Sequence, residues 1–537
     1  MYGAYRTEEG RLPERALRLA KRHPAVIALA GVFALYILSR LLFLGRLPVF
    51  FDESIYIRWS QQALHHGRLL ASLTDGKPPL HVWFMIPFIR VFKDPLVAGR
   101  LASVTAGGAT VLGMFLTGKE LRDWKLGAWA GFLYVVCPFT LWYDRVAITE
   151  GLLLTLFVFA VYFALRAART LELWWLAPLG ASIGLAMLSK GTAQLLFVIV
   201  PFAYLVRARA PGEGAVKHPL WRWAAIFLGS FALAIGIFSL LRFSSMYHLI
   251  GVRTAITTKG LGEVIGHPFD VFFSNLGTMG STLVVFVTPL LFAAALGGLA
   301  LGLFKRWRPS RFLFVWALVV VLVEALVAKH WMFDAILPRF FLSMLPPLLL
   351  GAGYAAVEGI EAARGWKPGK SALRALVIAL VLMVVLALPI YTDAMVIADP
   401  AGAPLPYWIR VQYITDWPSG WGIKGSADFL KAQSARGQFV VVGSNIRGIG
   451  LPTDGLLMYL EGNQSVKVVP FSMSTEEFPK ELRDAANRYP TYVVFNSFPG
   501  HEKPPEDWPL IPIKIFPKDG NNSQHLFLEK VEPGFVP

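Results

Sequence analysis

The chain has 537 residues, 55% of them hydrophobic and only 16% charged, with a mean hydropathy of +0.53. That is too apolar for a soluble protein of this length. Apolar runs of about 17–25 residues recur, each able to cross a hydrocarbon core of about 30 Å, so the composition indicates a polytopic α-helical membrane protein and not a β-barrel of short alternating segments. The net charge of +16 does not indicate nucleic acid, because most basic residues lie in short loops between apolar runs, where they report topology. The single cysteine, Cys137, excludes an intrachain disulfide and a thiolate metal cluster.

Residues 1–24 form a basic N-terminus carrying Arg6, Arg11, Arg15, Arg18, Lys21 and Arg22, which is expected to stay in the cytoplasm. The first apolar run, about 25–45, exceeds the core of a signal peptide and lacks a small-residue cleavage site, so it reads as a signal anchor. The stretch Phe50-Phe51-Asp52-Glu53-Ser54-Ile55-Tyr56 follows directly, with two adjacent carboxylates. Asp52 stands where a helix N-cap would, and residues 53–67 read as a short interfacial helix with Ile55, Trp59 and Ala63 on one face and Gly67 at its end. Next come Gly76-Lys77-Pro78-Pro79-Leu80 and then 80–93, a run broken by Pro87 that is short for a span.

Loop charge decides whether 80–93 crosses. If it does not, the loops at 119–125, 166–172, 207–222, 304–311 and 358–374 share one side and hold 17 Lys/Arg, against 6 in the alternating loops at 144–150, 189–191, 242–280 and 329–336. A crossing would invert every loop and violate the positive-inside rule. Residues 46–95 are therefore expected to form one outer catalytic loop. The other spans fall at about 96–118, 126–143, 151–166, 173–189, 191–206, 223–241, 281–303, 312–328, 337–356 and 375–392, about eleven in all, within a membrane domain over 25–392. No internal repeat of the kind seen in inverted-repeat transporters is visible. Residues 393–537 change character: strand-like runs at 439–442, 466–469, 491–495 and 525–528, with helical stretches at 425–435 and 474–488, predict a small α/β domain on the outer face.

Ionisable residues gather at the expected outer ends of the spans, where charge in hydrocarbon would otherwise cost on the order of 3 kcal/mol at mid-bilayer. Asp52 and Glu53 are the candidate catalytic carboxylates. Lys77, Arg145, Lys190 and Arg339 are candidate ligands of a phosphate, Glu150 adds a second acidic position, and Tyr56, one helical turn beyond Asp52, shares the pocket face. Asp334 and the loop residues His248, Arg253, Lys259, Glu263, His267 and Asp270 lie on the same side. Such a set suits sugar transfer from a polyprenyl phosphate to a hydroxyl: a carboxylate takes the acceptor proton, cations hold the leaving phosphate, and one direct displacement inverts the anomeric centre. Each group also has a structural reading, as a cap, an interfacial anchor or a solvated lysine.

The ordered set Asp52-Glu53-x-x-Tyr56, Lys77-Pro78-Pro79-Leu80, Arg100-x-x-Ser103, Arg145 to Glu150, Leu188-Ser189-Lys190-Gly191 and Pro338-Arg339-Phe340 resembles PMT-like glycosyltransferases of the GT-C superfamily, which include protein O-mannosyltransferases and the lipid A aminoarabinose transferase. The resemblance covers about 25–390. It implies a polyprenyl-phosphate-linked sugar donor, a glycan, lipid or protein acceptor, and an extracytoplasmic active site, with membrane lipids around it and no nucleic acid. By position Asp52 matches the active-site carboxylate, Lys77 a residue near the donor phosphate, and Glu150 a second acidic residue. Gly76 and Ile55 depart from the aminoarabinose branch, which has Glu and Arg there, and the 393–537 domain is not the module of eukaryotic mannosyltransferases, so a prokaryotic inner or plasma membrane is expected. No cofactor is assigned; a divalent cation, Mg or Mn, is left open at Asp52 with Glu150, without HxH or DxD spacing to support it. The alternative reading is a lipid or solute transporter or flippase.

Overall fold

The computed structural model describes residues 22–207, 218–330, 335–364, 371–446, 448–472 and 474–534. The basic residues Arg6, Arg11, Arg15, Arg18 and Lys21, Asp334 and parts of the 207–222 and 358–374 loops lie outside the described residues.

Most of the chain is apolar helix. Among the described residues seven helices are long and apolar enough to cross a membrane: Pro24–Leu41, Pro95–Leu121, Thr149–Thr170, Pro219–Phe243, Arg308–Val327, Pro338–Arg364 and Ala372–Ala398. Two further pairs are bent, Trp124–Val135 with Pro138–Asp144 by 68° and Phe272–Phe286 with Pro289–Phe304 by 110°. Each bend has a proline opening its second helix, where the missing N–H and fixed φ favour a fresh start over continuation. Caps set the starts elsewhere: the Asp94 side chain accepts from Leu96 N and Val97 N ahead of Pro95, and Asp123 does the same for Lys125 N and Leu126 N. Small residues allow tight crossings, and a Cβ added to Gly298 would run into the Gly351 carbonyl of the neighbouring helix.

The loops expected to lie on one side do meet. Arg122 pairs with Glu358 and with Glu361 at 2.6 Å, Lys305 pairs with Glu358, and Arg166 and Arg169 hold Glu120 at 3.2 and 3.1 Å. At the opposite end the segment after the first long helix forms two short helices, Phe51–His66 and Leu80–Val91. Both ends of this segment rest on the C-terminal unit. Phe51 N donates to Pro418 O at 2.9 Å, and Asp94 pairs with Lys424 at 2.6 Å. The segment therefore leaves and returns at one end of the bundle, with Pro87 inside its second helix.

Two sequence expectations are corrected here. The residue capping Phe51–His66 is Phe50, not Asp52, and Glu53 at the third helical position accepts the Phe50 N–H at 2.9 Å. The helix is also no solvent-edged interfacial one, because Ile55, Tyr56, Ile57, Trp59 and Ala63 are all buried.

The C-terminal unit is a five-stranded sheet in the order β2-β1-β3-β5-β4. β1 (Val440–Ile446) lies parallel to β2 (Val466–Ser472) and β3 (Thr491–Asn496), while β5 (Asn521–Val531) pairs antiparallel with β3 and with the edge strand β4 (Leu510–Lys518). Helices Ile423–Ser434, Thr453–Leu460 and Lys480–Ala486 accompany it. β4 went unread because Pro512 and Pro517 interrupt its run, and an edge strand tolerates prolines that a central strand does not. The second helical stretch begins at Lys480, not at Ser474.

The unit grips the start of the Phe51–His66 helix. Gly420 N donates to Val49 O at 2.8 Å, the Phe50 ring stacks on Tyr413 with centroids 4.0 Å apart, and the Phe51 ring meets Trp417 edge-on at 5.2 Å. The buried Lys518 ammonium fixes the gripping segment by donating to the carbonyls of Asp416, Trp417 and Ser419 at 3.2, 3.1 and 3.0 Å.

Candidate active site

Asp52 occupies the second position of its helix, where free backbone N–H groups favour a negative charge. It is 7% exposed. Lys77 Nζ donates to Oδ1 at 3.1 Å, and Arg339 Nη1 donates to Oδ2. Burial pushes the Asp52 carboxyl up, but the charges of Lys77 and Arg339 outweigh it and hold the group well below the usual carboxylate range. Lys77 also pairs with Asp75 at 3.3 Å, and its ammonium lies 5.0 Å from the centre of the Tyr56 ring and 5.5 Å from that of Trp59, within cation–π range. Burial opposes the charged form of Lys77, but Asp52 wins and raises its pKa. The Tyr56 hydroxyl is pushed up to about 12 by burial, so it stays protonated as a donor.

Gly76 makes the Lys77 position reachable. Its φ is +65°, and an added Cβ would run into the Leu249 carbonyl of the His248–Thr257 helix. That helix brings Arg253, which pairs with Asp75 at 3.4 Å.

Glu150, at the start of Thr149–Thr170, accepts from Lys190 Nζ at 2.7 Å and from Thr149 Oγ1 at 3.1 Å. Its Oε1 lies 4.0 Å from Arg339 Nε. Lys190 sits in the break between Leu176–Ser189 and the turn starting at Gly191, 4.4 Å from the centre of the Phe340 ring. The chain of charge Lys77, Asp52, Arg339, Glu150, Lys190 thus brings five of the expected residues together from four separate parts of the sequence, with Tyr56 beside it.

Two cavities meet at this chain. One, of about 450 Å³, is lined by Asp52, Lys77, Glu150, Lys190 and Arg339 and opens into an apolar wall of Met187, Leu195, Val198, Phe238, Val323 and Val327. The other, of about 580 Å³, lies towards the C-terminal unit and adds Thr74, Lys329, Gln412, Trp417 and Ile449. Asp52, Lys77, Arg253, Arg339 and Phe340 border both.

Glu53 and Arg145 stand apart from both cavities. Glu53 is fully buried, forms a two-pronged pair with Arg100 at 2.8 Å through each oxygen, and accepts from Phe50 N and Ala147 N. Arg145 donates to the carbonyls of Ser39, Arg40 and Leu42 at 2.8–2.9 Å and of Phe43 at 3.2 Å. Glu53 thus has a structural place instead of the expected catalytic one, and Arg145 reaches neither of the two cavities. Neither Asp52 nor Glu150 fits a divalent cation, since side-chain cations hold both oxygens of Asp52 and Lys190 holds Glu150. Among the described residues no group of three or more His, Cys, Asp or Glu side chains is placed to bind a metal ion.

Several cavity residues escaped the sequence reading. Glu324 interrupts the apolar Arg308–Val327 helix and lines the first cavity; an acidic residue inside a span is the signal that would have found it. Gln412 and Trp417 come from the linker before the sheet and carry no motif.

Residues 76–241 match the family described as dolichyl-phosphate-mannose-protein mannosyltransferase. Over 398 residues the chain is 27% identical to undecaprenyl phosphate-alpha-4-amino-4-deoxy-L-arabinose arabinosyl transferase 2 of Pseudomonas fluorescens, a match covering 66% of this chain and 64% of that relative's own length. The crystal structure of ArnT from Cupriavidus metallidurans in the apo state superposes with a TM-score of 0.60 at 14% identity, covering 95% of this chain and 98% of that one. The same protein bound to undecaprenyl phosphate gives 0.57 at 14% identity, over 95% and 99%. The fold is that of these ArnT structures. Within this fold the matched stretch 76–241 begins at Gly76 and contains Lys77, Glu150 and Lys190, while Asp52 and Arg339 lie outside it.

Proposed function

We propose that the protein is an inverting glycosyltransferase that moves a sugar from a polyprenyl-phosphate donor to an acceptor hydroxyl at the extracytoplasmic face of a membrane. The observation that carries this reading is the position of Asp52, clamped by Lys77 and Arg339 at the junction of an apolar-walled cavity with a more polar one. The first cavity suits the lipid chain and phosphate, the second the acceptor. The names of the relatives and the undecaprenyl phosphate bound by the neighbouring ArnT structure agree with such a donor.

In this scheme the donor phosphate joins the cations that hold Asp52, chiefly Lys77 and Arg339. The new anion shares their charge, so the Asp52 carboxylate becomes more basic as the donor settles. The acceptor O–H gives its proton to Asp52, its oxygen bonds to the anomeric carbon from the opposite face, and the carbon–oxygen bond to the phosphate breaks. The electron pair leaves with the polyprenyl phosphate, whose added negative charge the same cations stabilise. Glu150 holds Lys190 and Arg339 in place.

The test is transfer by purified protein from a polyprenyl-phosphate sugar, with the acceptor identified by mass spectrometry of lipid-linked and cell-surface glycans with and without the gene. Wild-type protein that binds the donor lipid but moves it across a vesicle membrane without forming a new glycosidic bond would overturn the reading in favour of a flippase.

A further inference from the structure

We infer that Glu324 reads the sugar of the donor, its carboxylate accepting hydrogen bonds from the sugar's O–H or N–H groups in the first cavity. The inference rests on the donor reading above and deepens it.

Glu324 lies on the Arg308–Val327 helix, is 4% exposed, and borders the same cavity as Asp52. Its helix neighbours in the wall, Val323 and Val327, are apolar. Among the described residues no hydrogen bond or ion pair engages its carboxylate, and Lys190, already hydrogen-bonded to Glu150, acts on it only through space. An acidic group inside an apolar helix is costly and is kept where it has a partner or a task. An aliphatic residue would complete this wall at no such cost, so the carboxylate must serve what the cavity holds.

The chemistry of the donor then narrows the choice. Its hydrocarbon chain offers a carboxylate nothing. Its phosphate is an anion, and four cations, Lys77, Lys190, Arg253 and Arg339, already border the cavity to receive it. The sugar is the one part of the donor that supplies several hydrogen-bond donors. A cavity of about 450 Å³ holding both Asp52 and Glu324 places a sugar at Asp52 in the same enclosure as this free acceptor. A buried acceptor built for a sugar donor discriminates strongly, because an epimer or deoxy sugar leaves the carboxylate unpaired.

The experiment compares undecaprenyl phosphate with a panel of its mannosyl, glucosyl and aminoarabinosyl derivatives on purified full-length protein in detergent. Glu324→Gln keeps the size and replaces one of the two oxygens by an amide group that only donates. Its affinity for the preferred sugar-bearing lipid is expected to fall about tenfold, with that for undecaprenyl phosphate unchanged or tighter. Should Glu324→Gln fail to fold, Glu324→Asp withdraws the carboxylate while keeping its charge, and the same selective loss is expected. An equal loss for both lipids, or no loss for either, overturns the role of Glu324 while leaving the donor reading intact. Wild-type protein that binds none of the sugar-bearing lipids overturns the donor reading, and the role of Glu324 with it.

Discussion

Arg339 stands between two carboxylates, donating through Nη1 to Oδ2 of Asp52 while its Nε lies 4.0 Å from Oε1 of Glu150. One guanidinium therefore fixes the separation of two acidic groups carried by helices nearly a hundred residues apart. A lysine in its place could neutralise one of them but could not span both, since an ammonium is a point charge and a guanidinium a planar fork. Arg339→Lys is expected to lower turnover about 10- to 100-fold. Combined with Glu150→Gln it should show a clear departure from additivity in a double-mutant cycle. Additive losses would mean that the two residues work separately.

Asp52→Asn is expected to fold and to lose 10²- to 10⁴-fold in transfer rate, the range typical of a missing general base. It should also lower stability at pH 7 by about 3 kcal/mol, because Lys77 and Arg339 lose the anion between them. The pH dependence has a definite sign. The folded Asp52 carboxyl sits below its unfolded range, so its contribution is complete above about pH 4 and is lost as pH falls further. The melting-temperature gap between wild type and Asp52→Asn should be constant from pH 7 to pH 5 and narrow below about pH 4. A gap that instead closed near neutral pH would contradict the clamp.

The adjacent residue gives the opposite profile. Glu53→Gln strands the fully buried Arg100 guanidinium, at an expected cost of about 3–5 kcal/mol. Protein yield and melting temperature should collapse, while the rate per folded molecule changes little. A folded Glu53→Gln protein with normal stability and no activity would return Glu53 to the chemistry.

Gly76→Ala forces a side chain into the left-handed region and against the Leu249 carbonyl, so the His248–Thr257 helix or the Lys77 turn must shift. Donor KM is expected to rise at least tenfold with little change in global stability, read from kinetics alongside thermal melting. Unchanged KM would mean that the turn relaxes without moving Lys77.

Much of this was legible in the chain. Hydropathy located the long apolar runs but not their breaks, since the single spans expected at 126–143 and 281–303 are each two helices bent at a proline, and the uneven Lys/Arg distribution put the loops of Arg122, Lys305 and Glu358 on one side, where they meet. Spacing alone could not separate Asp52 from Glu53: they are neighbours in sequence, yet about 100° apart around a helix, one facing the cavities and the other Arg100. Arg145 looked like a phosphate ligand until its fork was found filled by four carbonyls. Backbone acceptors leave no residue-specific trace in a sequence. Glu324 was hidden for a plainer reason: hydropathy averaging hides one acid among many valines and leucines.

The grip of residues 416–420 on Val49, Phe50 and Phe51 bears on how proteins of this architecture can diverge. The proposed base is not held by the bundle alone, because the backbone on which its helix starts is paired to the polypeptide that leads into the sheet. The two halves are thus poor candidates for shuffling. A hybrid joining this bundle to a relative's sheet would inherit a displaced Asp52 unless the 416–420 strap and Lys518 travelled with their partners, and substitutions across that seam should drift in concert instead of one at a time.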